Sequence, residues 1–101
     1  MTSPTRGRDW SEAERGQIRR LEEFCAKMSH WGLECSHTDA GDPWCVIYDH
    51  WRQRVILHIA RIDLQYVVAL PRERRAAKKP TMAEAVEMAL ARLKAYEPRA
   101  G

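Results

Sequence analysis

The stretch DPWCVIYDHWRQRVILHIARIDLQYVVAL, residues 42–70, decides the fold because it holds most of the β-branched and aromatic residues of the chain. Its centre, VILHIARI at residues 55–62, alternates between two largely apolar faces. One face carries Val55, Leu57, Ile59 and Arg61, and the other carries Ile56, His58, Ala60 and Ile62. This pattern is typical of a strand in the middle of a sheet.

Similar alternation on both sides of this strand indicates further strands at residues 44–49 and 64–70. The links at residues 50–53 and near residue 63 are short, so successive strands are expected to pair as hairpins. Residues 33–38 also alternate and predict one more short strand, followed by a turn at residues 39–43. Together these segments predict a four-stranded antiparallel meander.

Two capping boxes predict helices on either side of the sheet. Ser11 and Glu14 have the S-x-x-E form, and Thr81 and Glu84 have the T-x-x-E form. An apolar stripe with helical spacing follows each box. The first stripe runs from residue 18 to residue 31 and predicts a helix that ends at Gly32, and the second runs to residue 96, before a proline at 98.

The predicted order is therefore α-β-β-β-β-α, an α+β two-layer sandwich with both helices on one face of the sheet. At 101 residues the chain has room for one domain, which we place at residues 10–97. Residues 1–9 and 98–101 show no periodicity and are predicted to be tails.

Composition is that of an ordinary globular protein, with 45% hydrophobic and 31% charged residues. The sequence has no apolar run near the ~20 residues that a membrane span needs, and its start lacks the apolar segment of a secretory signal. Three cysteines, an odd number, favour reduced thiols over a disulfide framework. These features predict a cytoplasmic protein that does not associate with a membrane.

Two segments of the predicted sheet carry a pattern that resembles a known motif. Residues 41–49 read GDPW-x-V-x-x-D, and residues 55–67 read V-I-x-H-I-A-R-I-D-x-x-Y-V. The pattern is similar to that of uncharacterised alphaproteobacterial small domains, although Cys45 stands where that pattern usually has Phe and Leu64 where it usually has Gly. The resemblance implies a recurring small domain and no particular activity.

The cysteines and histidines are candidate metal ligands and candidate nucleophiles. Structural zinc sites use closely spaced pairs such as C-x2-C, whereas the closest pair here is Cys35 and His37. Cys35 or Cys45 could approach His37 or His58 across neighbouring strands, but no glycine loop for an oxyanion follows. We therefore expect no metal, no cofactor and no catalytic residue, and a thiol- or metal-dependent enzyme is the third hypothesis for function.

The first hypothesis is a small non-enzymatic interaction or regulatory domain. If the helices cover one face of the sheet, an apolar face is left around His58, and such a face marks a contact surface. We expect it to bind a protein partner or a second copy of the chain, as a homodimer. The predicted contact residues are Ile47, Ile56, His58, Ala60 and Val67.

The second hypothesis is nucleic-acid binding through a basic run at residues 72–79, which is predicted to be a loop. Its five basic residues against Glu73 give a local charge of +4. They are Arg72, Arg74, Arg75, Lys78 and Lys79. Because the run precedes a helix N-terminus, which favours phosphate, it could bind a nucleic-acid backbone in a salt-sensitive way.

Overall fold

A computed structural model describes residues 9–96 of the chain. Within this range, one 15-residue helix precedes the strands of a sheet in the chain and a second 15-residue helix follows them. The helices are α1 (Glu12–Ala26) and α2 (Met82–Tyr96), and the strands are β1 (Trp31–His37), β2 (Pro43–Asp49), β3 (Arg54–Ile62), β4 (Gln65–Leu70) and β5 (Arg75–Lys79). A short 3-10 turn, Pro71–Glu73, joins β4 to β5.

The sheet is an antiparallel meander in the order β1-β2-β3-β4-β5. The α+β class is confirmed, whereas the prediction of four strands is wrong because the basic run forms a fifth. The sequence of β5, RAAKK, has no β-branched residue and no apolar alternation. Arg74 adopts a left-handed conformation with φ 53° and turns the chain back, so that β5 pairs along β4 through its backbone.

Both predicted helix starts are confirmed. The Ser11 hydroxyl accepts a hydrogen bond from the Glu14 N–H at 3.1 Å, and the Glu14 carboxylate accepts one from the Ser11 N–H at 2.7 Å. The Thr81 hydroxyl accepts a hydrogen bond from the Glu84 N–H at 3.1 Å. These contacts satisfy N–H groups that have no partner inside a helix.

The predicted end of the first helix is wrong, because α1 ends at Ala26 and Gly32 lies in β1. Trp31 fits the apolar stripe of the predicted helix because it also packs into the core, with its ring centroid 6.1 Å from that of Phe24. Gly32 has a different role, since a Cβ there would lie 2.8 Å from Nε2 of His50. The glycine thus leaves room for an imidazole to lie over the end of the sheet.

The helices pack together and share one core with a single face of the sheet, which we call the covered face. Ile47, Leu57 and Val68 contribute the central strand residues of this core, and Leu21 and Leu93 contribute from the helices. The tails predicted at residues 1–9 and 98–101 lie outside the described residues except for Asp9. The Asp9 carboxylate is hydrogen-bonded to the His37 ring at 2.9 Å.

Candidate functional site

The opposite side of the sheet, which we call the open face, is not packed against either helix within residues 9–96. Strand pairing places its side chains in rows that cross the sheet. One row is Glu34, Val46, His58, Ala69 and Ala76, and the next is Ser36, Trp44, Ala60, Val67 and Lys78. Tyr48 and Val55 form a shorter row beside them. The centre of the open face is half-buried and apolar, and its charged residues lie on the edge strands.

His58 and Trp44 form the middle of the open face. Their rings stack with centroids 5.2 Å apart and planes 16° apart. Burial among these neighbours lowers the pKa of His58, which favours the neutral imidazole. Both side chains line a shallow depression of about 410 Å³, together with His37, Thr38, Asp39, Ala60, Ile62, Val67 and Ala69.

Three of the five predicted contact residues lie on the open face, namely His58, Ala60 and Val67. The placement of Ile47 and Ile56 there is wrong, since both belong to the helix-covered core with 1% and 4% exposure. Ile47 pairs with Leu57, so the two share a face. The pairing then shifts, and Tyr48 lies opposite Val55.

This shift is a β-bulge at Ile56. A bulge inserts one extra residue into a strand and changes which side chains face the core. Because of it, Ile56 packs in the core and Val55 lies on the open face, the reverse of the strict alternation expected from the sequence. The faces of β3 from Leu57 to Ile62 follow the predicted alternation.

Residues 75–79 of the basic run form an edge strand rather than a loop, and Arg72 lies in the 3-10 turn before it. Lys78 lies at the border of the open face, opposite Val67, and the guanidinium of Arg72 lies 5.8 Å from the centre of the Tyr96 ring. Charged side chains on an edge strand oppose pairing with the edges of other sheets. The charges of β5 are suited to this role, and nucleic-acid binding by the run stays a prediction.

The cysteines and histidines separate into different environments. Cys35 and Cys45 are direct cross-strand partners with Sγ atoms 2.9 Å apart, whereas Cys25 lies on the buried side of α1. His37, at the end of β1, lines depressions on both sides of the sheet, and His58 lies on the open face. Among residues 9–96, no three His, Cys, Asp or Glu side chains are grouped as ligands for a metal ion.

The meeting of Cys35 with Cys45 depends on which residue lies at the middle of the turn between β1 and β2. Residues at equal distances from the middle of a hairpin turn become cross-strand partners. The middle of the predicted turn at residues 39–43 is Gly41, which would place Cys35 opposite Ile47. In the structure the pairing is centred on Ala40, which places Cys35 opposite Cys45, and the sequence did not specify this register.

A buried ionic network ties α1 to the covered face. Glu14 receives hydrogen bonds from Arg61 of β3, at 2.6 Å, and from the hydroxyl of Tyr66 in β4. Burial alone would raise the pKa of Glu14, but the bonds from Tyr66, Ser11 and Arg61 together lower it. Burial and the neighbouring carboxylate raise the pKa of Tyr66 to about 12. The network thus links α1 to β3 and β4.

A second buried carboxylate, Asp49, holds the link between β2 and β3. It accepts hydrogen bonds from the N–H groups of Trp51 and Arg52 at 3.0 and 3.1 Å, and from the Tyr96 hydroxyl at 3.2 Å. Burial would raise its pKa, but the backbone and side chain of Arg52 and the Tyr96 hydroxyl outweigh burial and lower it. Asp49 thus stabilises the turn and fastens α2 to it.

Comparison with protein-family models, with curated proteins and with solved structures finds no match for this chain. The resemblance of residues 41–49 and 55–67 to the alphaproteobacterial motif stays a prediction. No helix within residues 9–96 has the length and apolar character needed to cross a membrane.

Proposed function

We propose that this chain is a non-enzymatic interaction domain that forms a homodimer by packing its open face against that of a second copy. The observation that carries the proposal is the apolar centre of a five-stranded sheet that neither helix covers within residues 9–96. Two-layer folds bury the sheet face that meets their helices, and an apolar second face is typical of a contact surface.

The shape of the open face favours self-association. Trp44 and Val46 lie on β2, and Val67 and Ala69 lie two strands away on β4, so each β2 residue is larger than the β4 residue in its row. A two-fold axis that runs along β3 places β2 of one copy over β4 of the other. Trp44 then lies over Val67, and Val46 lies over Ala69, so bulky residues meet small ones.

The same axis gives complementary charges at the rim. Glu34 is on β1 at one edge, and Lys78 is on β5 at the other. Since the rotation brings β1 of one copy over β5 of the other, Glu34 lies over Ala76, one row from Lys78, and each acidic edge lies near a basic edge. His58 and Ala60 lie at the axis and meet their own counterparts. The neutral form of His58, favoured by its lowered pKa, avoids repulsion at this position.

The area of the open face indicates how tightly the proposed dimer should bind. Five strands spaced about 4.8 Å apart and three to four rows of side chains give roughly 400 Å² in projection. Interfaces at the small end of the known range are generally weak. We therefore expect a dissociation constant in the micromolar range, and sheets aligned within about 30° of each other.

Sedimentation equilibrium between roughly 1 and 500 μM tests the proposal over this affinity range. We expect the wild type to shift from monomer to dimer. Ala60→Glu should remain monomeric, because it places two carboxylates against each other at a desolvated position. Leu64→Glu is the matched control: it adds the same charge at a turn residue that is 90% exposed and lies off the open face.

Three outcomes distinguish the alternatives. Dimers that persist in Ala60→Glu, with circular dichroism confirming that the variant folds, contradict the proposal. A wild type that remains monomeric throughout the range also contradicts it. A monomer that shifts on duplex RNA or DNA at low salt, and loses the shift when Arg72 and Arg75 are neutralised, supports the basic-run hypothesis instead.

A further inference from the structure

We propose that Cys35 and Cys45 form a reactive dithiol that small anionic disulfides oxidise to an intramolecular disulfide. The pair lies on the covered side of the sheet at its β1 edge, away from the open face. The proposal is therefore independent of dimer formation.

The strand pairing places the two thiols in a geometry that a disulfide can span. Pro43 has no N–H, so its pair with His37 is of the non-hydrogen-bonded type, and the pair types alternate along the ladder. Cys35 and Cys45 come two pairs further on and are of the same type. Such pairs have Cα atoms about 4.5 Å apart, within the range of natural disulfides. The Sγ atoms are already 2.9 Å apart.

The two thiols have unequal access to solvent, which gives them different roles. Cys35 is exposed, whereas Cys45 is 2% exposed. A hydrogen bond from the Cys45 thiol lowers the pKa of Cys35, and the same contact with burial raises the pKa of Cys45. Because the thiolate is the nucleophile in disulfide exchange, Cys35 is suited to attack first and Cys45 to resolve the product.

The surroundings of Cys35 indicate the class of substrate. The thiol lines a depression of about 390 Å³ that also contains Arg15 and Arg19 of α1. Asp9 and Glu22 line the same depression, and the Asp9 carboxylate is hydrogen-bonded to the His37 ring. Glu22 alone would raise the pKa of Cys35, while Arg15 lowers it. The exposed guanidinium groups can attract carboxylates of a small substrate. We infer a low-molecular-weight disulfide that carries carboxylate groups.

The reaction is a thiol–disulfide exchange in two steps. The Cys35 thiolate attacks one sulfur of the small disulfide RSSR, which forms a mixed disulfide and releases one thiolate RS⁻. The Cys45 sulfur then attacks the Cys35 sulfur, releases the second RS⁻ and gives up its proton to solvent or to the released thiolate. In total, two protein thiols and one RSSR become one protein disulfide and two RSH.

Oxidised glutathione is a suitable probe because it is a small disulfide with several carboxylates. The reduced, purified full chain is incubated with it near neutral pH, and mass spectrometry after alkylation identifies the modified cysteines. We expect the chain to lose two hydrogens, to link Cys35 to Cys45, and to release two reduced glutathione molecules. Cys25 should stay alkylatable after unfolding, because burial raises its pKa to about 11.

Single variants separate the roles of the thiols. Cys45→Ser should accumulate a mixed disulfide with glutathione at Cys35, and Cys35→Ser should lose the reaction. Cys25→Ser is the matched control and should react as the wild type does. Since Cys35 is exposed, the Cys35→Ser result remains informative even if Cys45→Ser fails to fold.

Arg19→Gln tests the substrate class. It should slow oxidation by glutathione disulfide roughly two- to fivefold, the size of an exposed charge interaction, and should not slow oxidation by the cationic disulfide cystamine. Lys27→Gln, at the residue that follows α1 and outside this depression, should change neither rate. Equal rates in Arg19→Gln and the wild type would refute the anionic class. A stable mixed disulfide in the wild type, or oxidation that persists in Cys35→Ser, would overturn the dithiol assignment.

Discussion

The covered face and the open face are built from alternate residues of the same strands but differ in how their polar groups are paired. At the covered face, Glu14 of α1 receives hydrogen bonds from Arg61 and Tyr66. Asp49 receives them from the adjoining turn and from Tyr96 of α2. On the open face, His58 has a stacked ring as its neighbour and a pKa lowered by burial. Paired buried groups stabilise the fold, whereas a half-buried apolar face with one imidazole is suited to contact with another molecule.

The largest expected effect is a difference in the free energy of unfolding between substitutions at two adjacent residues of β2, one on each face. Ile47→Ala should lower the free energy of unfolding by about 3 kcal/mol, because it creates a cavity in the helix-covered core. Val46→Ala, one residue away on the open face, should cost roughly 1 kcal/mol or less. Urea unfolding of both variants at low protein concentration measures this difference.

The effects of the same two variants on dimer formation should rank in the opposite order to their effects on stability. Val46→Ala removes a side chain that the proposed dimer places over Ala69, so it should weaken the dimer more than Ile47→Ala does in sedimentation equilibrium. Equal losses of stability, or a dimer weakened by Ile47→Ala alone, would contradict our assignment of the faces.

A smaller effect concerns the ionic network of the covered face and depends on pH. Glu14→Gln should cost about 2 kcal/mol near neutral pH, because hydrogen bonds to a charged group contribute about that much. The pKa of Glu14 is lowered in the folded protein from its ordinary value of 4.5. The stability that the carboxylate contributes is therefore fully present above pH 4.5 and is lost as the pH falls through the lowered pKa.

Unfolding measurements from pH 7 downward should thus show the wild type and Glu14→Gln converging below about pH 4.5. Glu12→Gln, at an exposed position in the same helical turn, is the control and should differ little from the wild type at any of these pH values. A constant gap between the wild type and Glu14→Gln over this range would show that the network does not depend on the charge of Glu14.

The smallest effect is a gain in stability at a site that belongs to neither face. Asp63 and Leu64 form the two-residue turn between β3 and β4, and both have positive φ angles, 52° and 64°. Glycine adopts this conformation with less strain than leucine. Leu64→Gly should therefore raise the free energy of unfolding by about 1 kcal/mol and leave the dimer unchanged. A loss of stability in thermal unfolding would contradict the strained turn.

The sequence predicted the elements whose signals are local. The Ser11 and Thr81 caps are read from residues three positions apart, and the central strands from alternation over six to nine residues. The covered position of Leu57, Ile59 and Arg61 and the open position of His58 and Ala60 followed from this alternation as well.

The remaining features depend on partners distant in the chain. The bulge at Ile56 depends on how β3 pairs with β2, and nothing in VILHIARI marks the extra residue. The fifth strand is held by backbone hydrogen bonds to β4. Its sequence, RAAKK, carries no signal that predicts a strand. In the sequence, Trp31 continues the apolar stripe of the first helix, although it lies in β1. Residue spacing does not distinguish the two, because a strand residue and a helix residue can pack into the same core.

The most direct test of the open face as a dimer surface is an isotope-filtered nuclear Overhauser experiment on a mixture of labelled and unlabelled chains. It detects only contacts between different copies. We expect cross-peaks from the Trp44 ring of one copy to the Val67 methyl groups of the other, and none from core methyl groups such as those of Ile47. Inter-copy cross-peaks confined to residues outside the open face, or their complete absence at concentrations near 1 mM, far above the micromolar dissociation constant that we expect, would contradict the account.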